Sequence, residues 1–395
     1  MYCLHEDHMA TYVVCIDGTW NRPEESNGDP LDGSEISRET NVYRIFRFLA
    51  DNPTISAEGI TLRASLPATT QTQTQGEVLY VKGIGTSSFN LVNYVAGAIG
   101  YGTMDRILVA YRFLAERYKP GDKIFGFGFS RGAFAVRSLA GMLDRMGLSA
   151  ALGRLDDATL TAQYQSSSTS SPTSVPVCFL GLWDTVGSLR KPENISDHEV
   201  NPPNVKFVAH ALALDEQRRD FTPTFWRHGG GSQKVEEVWF SGVHSNIGGG
   251  YTNAQLSNIA LSWMVAKAVA NELPAGNQYI PHWYYENVFT QMTDSYREFL
   301  RYLSVLGSVI KGDRERRTVL STHRIHESVF DRMEGGTSLY VTTGSQAQAD
   351  RDPYEPVAHV DAGHWTDSRA AFKGRIVETT DYLPMEVLDF QRNKL

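Results

Sequence analysis

The residues best placed to do chemistry lie in Gly128-Phe129-Ser130-Arg131-Gly132. An apolar strand pattern running from Lys123 stops at Gly128, and a helix pattern with Leu139, Met142, Leu143 and Met146 on one face starts at about Gly132. Ser130 sits on the corner between them. Glycine on both sides of such a corner predicts a turn too sharp for side chains at those places. A serine held this way has its hydroxyl exposed at the carboxyl edge of a sheet, beside helix N-terminal amides that favour negative charge. The pattern predicts a nucleophile.

A serine hydroxyl needs a neighbouring base, normally a histidine oriented by a carboxylate. In α/β-hydrolases the partners follow in the order Ser, then Asp or Glu, then His. Asp184 ends the apolar run Val177–Trp183, and His244 follows the run Val238–Val243, so both strand ends are expected on the edge that carries Ser130. Each residue also has a plainer reading, Asp184 as a turn or capping residue and His244 as a buried structural histidine. Rival bases are His210, inside an apolar run, and His228, in a glycine-rich loop. Rival acids are Asp157, Asp197 and above all Asp215.

The tetrahedral intermediate of acyl transfer needs preorganised donors. The backbone amide of Arg131 is the first expected donor. The loop Asp17-Gly18-Thr19, after the apolar run Tyr12–Ile16, is expected to supply the second from Gly18 or Thr19. Asp17 is expected either to orient that loop, to bind a cation or simply to close a turn. Gly83-Ile84-Gly85 lacks the spacing of a dinucleotide cradle, and no cofactor is expected. Gly248-Gly249-Gly250 predicts either close passage of the backbone beside His244 or a tight turn.

These loops need a frame. Apolar runs at 12–16, 78–81, 123–129, 175–183, 205–214 and 235–243 alternate with helical patterns at 39–50, 105–118, 132–146 and 256–273. The run at 205–214 reads partly as strand and then as helix, and residues 64–77 read as a low-complexity loop. The alternation predicts an α/β, doubly wound, mainly parallel sheet of the α/β-hydrolase kind, with the site at its carboxyl edge. One domain is expected over 1–395, with a core at about 11–275 and cap or lid and C-terminal elements over 276–395.

Composition narrows the partners. The net charge of −8, with no basic stripe, argues against nucleic acid. It also gives no long-range attraction to anionic lipid, so any contact with a membrane surface would be local and apolar. Cys15 and Cys178 read as packed thiols, and Cys3 completes no zinc or disulfide spacing, so no metal site is expected. Residues 1–10 lack the apolar stretch of a secretory signal, and no run is apolar enough to span a bilayer. Cytoplasmic synthesis is expected, with any export by a dedicated system.

Five ordered blocks then resemble one family: Ile16–Asn21, Gly83–Thr86, Gly128–Phe134, Leu182–Gly187 and Gly242–Tyr251. They are similar to the marker blocks of α/β-hydrolases related to the catalytic domain of type VI secretion lipase effectors, over about residues 11–275. The resemblance implies a serine hydrolase, with phospholipase activity among secreted members, and supports Ser130, Asp184 and His244 as a triad. It also marks a departure. Asn246 stands where an aspartate is expected, so a carboxylate that would help hold His244 is missing. No membrane-anchoring region of the longer effectors is recognisable. The leading reading is hydrolysis of lipid or phospholipid acyl esters, with the small apolar stretch 89–102 and Trp283-Tyr284-Tyr285 as acyl-pocket or lid candidates. The alternatives are an esterase or thioesterase on soluble acyl substrates, or a catalytically silent binding module.

Overall fold

The structure is a computed structural model. It describes residues 9–18, 39–56, 61–66, 76–83, 102–167, 169–187, 201–227, 232–274, 288–290, 292–296, 314–335, 337–341, 348–361, 365 and 369–378. Thr19, Ile84, Gly85, residues 89–101, Asp197, His228 and Trp283–Tyr285 lie outside that set.

Strand β1 (Thr11–Ile16) is buried on both faces, as its unbroken apolar run requires of a central strand. Val13 and Cys15 face one core cluster, and Val14 and Ile16 face the other. Helix α1 (Asn41–Leu49) follows, capped by the Thr40 hydroxyl, which accepts from the Tyr43 amide. A hairpin of β2 (Asp51–Ile55) and β3 (Thr61–Ser65) leads to β4 (Gly76–Val81), which lies parallel to β1. The chain then passes through α2 (Thr103–Ala115) to the other side of β1, where β5 (Lys123–Phe129) pairs in parallel with Ile16 opposite Gly128. The winding reverses about β1, and the crevice at such a reversal is where open α/β sheets bind ligands.

From β5 the sheet grows in one direction only. Helix α3 (Arg131–Met146), β6 (Val177–Trp183), β7 (Val205–Ala213) and β8 (Lys234–Phe240) come next, then α4 (His244–Gly248) and α5 (Gln255–Ala270). Two short strands, β9 (Arg324–His326) and β10 (Ile376–Val377), close that edge. The ten-stranded order is β10-β9-β8-β7-β6-β5-β1-β4-β3-β2, parallel throughout except at β2 and β3. This is the α/β-hydrolase-like, mainly parallel sheet that the alternation of elements predicts. Helices α1 and α5 cover one face, where Ile45, Phe46 and Trp263 pack on Phe125 and Phe127. Helices α2 and α3 cover the other through Ile107, Tyr111, Leu139 and Leu143.

Three details differ from the sequence reading. Residues 205–213 are strand to the end, because β6 and β8 flank them and both faces are covered, so the apolar run never needs a helical face. Of the residues 64–77 read as a loop, 64–65 end β3 and 76–77 open β4, and the two strands pair there. The segment after residue 275 also contributes β9 and β10 to the main sheet.

Candidate active site

In β5 phenylalanine and glycine alternate, and the strand's two faces use them differently. Phe125, Phe127 and Phe129 enter the core on the α1 side, each worth about 1.5–3 kcal/mol by burial. Gly126 and Gly128 face α3 and let it lie against the strand. A Cβ on Gly126 would come within 2.6 Å of Val136, and one on Gly128 within 2.5 Å of the Gly132 carbonyl. Gly132 answers to a different neighbour: its Cβ would meet the carbonyl oxygen of Ile16 at 2.1 Å, at the end of β1. The two glycines of the motif therefore serve separate contacts, one closing the turn and the other docking α3 on β1.

Ser130 itself has φ 57° and ψ −122°, a conformation that costs a side-chain-bearing residue about 1–3 kcal/mol. The ladder holds it there: its amide donates to the Trp183 carbonyl at 3.0 Å, and its carbonyl accepts from Phe134 at 3.2 Å. Asp184, just past β6, also has a positive φ, 41°, which aspartate tolerates better than most residues. Among the described residues only Glu272 shares this trait outside glycine. Two of these three strained positions thus belong to one candidate site.

Asp184 is fully buried. Its Oδ2 lies 2.6 Å from Nδ1 of His244, the first residue of α4, and its Oδ1 accepts from the Ala213 amide at 3.1 Å. The His244 ring packs between Phe129 (centroids 4.5 Å) and the edge of Phe221 (4.9 Å). Phe129 immediately precedes Ser130, so the sheet brings all three predicted residues to one corner. With Nδ1 donating to a carboxylate, the neutral ring presents Nε2 as an acceptor. Among the described residues no hydrogen bond joins the Ser130 hydroxyl to His244. Ligand-free sites often hold this contact long, and it tightens with substrate. Burial lowers the affinity of His244 for a proton, and the Asp184 contact only partly offsets that. Burial opposes ionisation of Asp184 as well, but Arg317 and His244 outweigh it and hold the carboxyl well below its ordinary range.

Two further residues of this corner were not found from the sequence. Glu216 accepts from the His244 amide (3.3 Å) and from Ser295, and Arg218 grips both of its oxygens at 2.9 Å. Arg218 holds the Glu216 carboxyl at about 2 against the cost of burial. Arg317 donates from Nη1 to Asp184 Oδ1 (2.6 Å) and from Nη2 to Oδ2 (3.0 Å). The acidic pair Asp215-Glu216 after an apolar run was a usable signal for the first. An arginine 133 positions from its partner leaves no signal in spacing.

The rival residues have other work. His210 is fully buried within β7, with Nδ1 on Glu237 (2.9 Å) and Nε2 accepting from the Thr185 amide (3.1 Å), so both nitrogens are taken. Asp215 brackets the Gly242 amide, the Tyr354 hydroxyl and the Val357 amide. Asp157 is exposed and pairs with Arg112. Asn246 does not reach His244; its Oδ1 accepts the Val243 amide and caps α4. Gly248 gives Phe129 room, since a Cβ there would lie 2.1 Å from that ring.

The loop after β1 is organised by Asp17. Its carboxyl accepts from Tyr80 (2.6 Å), Thr40 (2.7 Å) and the Gly18 amide (2.6 Å), and burial raises its pKa to about 6. The Gly18 amide is therefore committed to Asp17. Arg131 is buried at the first position of α3. Among the described residues no cluster of three or more His, Cys, Asp or Glu could hold a metal, and no helix is long and apolar enough to cross a membrane.

The model of the family described as "T6SS, Phospholipase effector Tle1-like, catalytic domain" matches residues 10–267. The chain belongs to this Tle1-like family. Its matched region includes Ser130, Asp184 and His244 and stops short of Arg317. An uncharacterised protein of Saccharomyces cerevisiae, YEL023C, is 30% identical over 261 residues, which is 55% of this chain and 33% of the yeast protein. A structure of the Tle1 effector bound to the VgrG spike of the type 6 secretion system is 20% identical at a TM-score of 0.36, covering 62% of this chain and 51% of that one. Est1E of Butyrivibrio proteoclasticus is 10% identical at a TM-score of 0.30, covering 67% of this chain and 90% of that one. This chain spans about a third of the yeast relative and about half of the Tle1 effector.

Proposed function

We propose that this Tle1-like protein hydrolyses carboxylic esters, with lipid or phospholipid acyl esters as substrates, through Ser130, His244 and Asp184. The observation that carries the reading is the 2.6 Å His244–Asp184 contact, made beside a serine held at a positive φ on the same sheet edge. Ser130 Oγ attacks the acyl carbon while His244 Nε2 takes its proton. The oxyanion that forms is assigned to the Arg131 amide, aided by the N-terminus of α3. The second donor is expected from the same loop, where Gly18 is held by Asp17 and Thr19 lies outside the described residues. Collapse breaks the ester bond, and the departing alcohol oxygen takes the proton from Nε2. Water then attacks the acyl-enzyme, giving a proton to His244, and the acid leaves as Ser130 Oγ recovers that proton. Asp184 stays ionised and stabilises the imidazolium of each transition state.

The lipid preference rests on the family's description as phospholipase effectors. The test uses one purified sample. A fluorophosphonate probe should label wild type and not Ser130→Ala, and phospholipid vesicles should yield lysophospholipid and fatty acid by mass spectrometry. A folded wild type that does not label defeats the serine mechanism. Labelling with turnover of p-nitrophenyl acetate, but no lysophospholipid, defeats only the lipid substrate and favours a soluble acyl ester.

A further inference from the structure

The candidate acid is held by more than its histidine. Four donors converge on the Asp184 carboxylate: His244 Nδ1, the Ala213 amide, and both terminal nitrogens of Arg317. Arg317 is itself buried and braced, since its nitrogens also donate to the carbonyls of Ala213 (2.8 Å) and Phe221 (2.5 Å). The Phe221 ring lies edge-on to His244, so the arginine fixes both the acid and one wall of the base.

The charges around the pair can be counted. Asp184 and Glu216 are the carboxylates facing it, and Arg317 and Arg218 are the cations. The remaining groups packed on the ring, Phe129 and Phe221, are uncharged. With His244 neutral this set sums to zero, and a proton on the ring makes it positive in a buried place. Without Arg317 the same set is one charge negative, and binding a proton restores neutrality. The proton could then sit on His244 or on Asp184; the pair titrates as a unit, and its affinity for that proton rises in either case.

Building on the proposed triad, we infer that Arg317 is a positioning residue: it clamps Asp184 and keeps His244 neutral and ready to accept the Ser130 proton. The clamp comes from beyond the residues that the family model matches, so the segment after residue 275 helps to complete the site.

The test measures the rate of fluorophosphonate labelling and kcat/KM on p-nitrophenyl esters as functions of pH. Arg317→Gln should move the acid limb upward by about one pH unit or more, the usual effect of a guanidinium beside a carboxylate. Labelling at pH 6 should then fall by about three- to fivefold. Arg317→Lys keeps the charge but loses the two-pronged grip, so its limb should stay near wild type while kcat drops. Arg316→Gln, an exposed neighbour, removes the same charge and should leave the profile unchanged. A cavity of about 200 Å³ lined by Arg218, Phe225, Arg316 and Arg317 adjoins the clamp. Millimolar guanidinium should therefore partly restore Arg317→Ala. A folded Arg317→Gln with the wild-type limb overturns the inference while wild-type labelling keeps the triad. If Arg317→Gln does not fold, Arg317→Lys decides: wild-type kcat together with a wild-type limb overturns the clamp. Failure of wild type to label would instead refute the triad.

Discussion

Two buried histidine–carboxylate pairs of the sheet invite comparison, His244–Asp184 at 2.6 Å and His210–Glu237 at 2.9 Å. Both join a buried imidazole Nδ1 to a carboxylate, yet they differ in what surrounds the second ring nitrogen. His210 lies within β7, where the Thr185 amide fills Nε2, and Glu237 also accepts from the Trp226 amide. Every polar atom of that imidazole is spent on the fold. His244 stands past the end of β8, where the ladder has stopped, and its Nε2 has no hydrogen bond among the described residues. A base is a histidine whose hydrogen bonding is incomplete, and strand ends are where a parallel sheet leaves it so.

The sharpest way to break the comparison is kinetic. Ser130→Ala and His244→Ala should each lower kcat about ten-thousandfold or more, and to similar extents, because triad members act as a unit. On p-nitrophenyl ester turnover His210→Ala should stay within about tenfold of wild type. A folded His210→Ala as inactive as His244→Ala would reverse the assignment of the two pairs.

The cost of His210→Ala should appear in stability. Removing His210 leaves the buried Glu237 carboxylate short of one donor and the Thr185 amide without its acceptor, at about 1–3 kcal/mol for each group, read from urea denaturation. The glycine of the elbow that faces β1 gives a comparable effect. Gly132→Ala should destabilise by about 1–3 kcal/mol, because its methyl meets the end of β1 and α3 must shift. A fully stable, fully active Gly132→Ala would show that α3 does not dock on β1 as described.

Two smaller effects concern pH. Burial lowers the pKa of His244, so the neutral base should persist below the ordinary histidine value of about 6.5, and the acid limb of kcat/KM should lie under it. Asp17 has the opposite sign. Its folded pKa of about 6 is raised, so its contribution to stability is complete below its unfolded value of 3.8 and is lost as pH rises through about 6. Wild type measured against Asp17→Asn should therefore lose stability, on the order of 2–3 kcal/mol, between about pH 4 and pH 7. A flat difference across that range would mean that Asp17 is not cut off from water as its burial implies.

The elbow was legible in the sequence because all its constraints are local. Phe-Gly alternation, a corner serine and a helix face lie within one stretch, so backbone sterics fix them together. Asp184 and His244 were legible as strand ends in order, since periodicity marks where strands stop. The same signals ranked Asp184 above Asp215 and His244 above His210 without giving the reason. That choice depends on which amides and carbonyls are already paired, and pairing is a property of neighbouring strands. Nor could they show that Gly18 is turned onto Asp17, or that Asn246 caps α4 in place of touching the histidine.

The sequence by itself determined a doubly wound sheet, a serine on a sharp turn and the residue types able to act with it. Only the tertiary structure decided which histidine keeps an unspent nitrogen and which distant cation steadies its aspartate. Arg317 and Asp184 are 133 residues apart, and nothing in the order of a chain specifies that two such groups must meet inside the fold. Burial does, because a carboxylate taken out of water must find its donors wherever the fold places them.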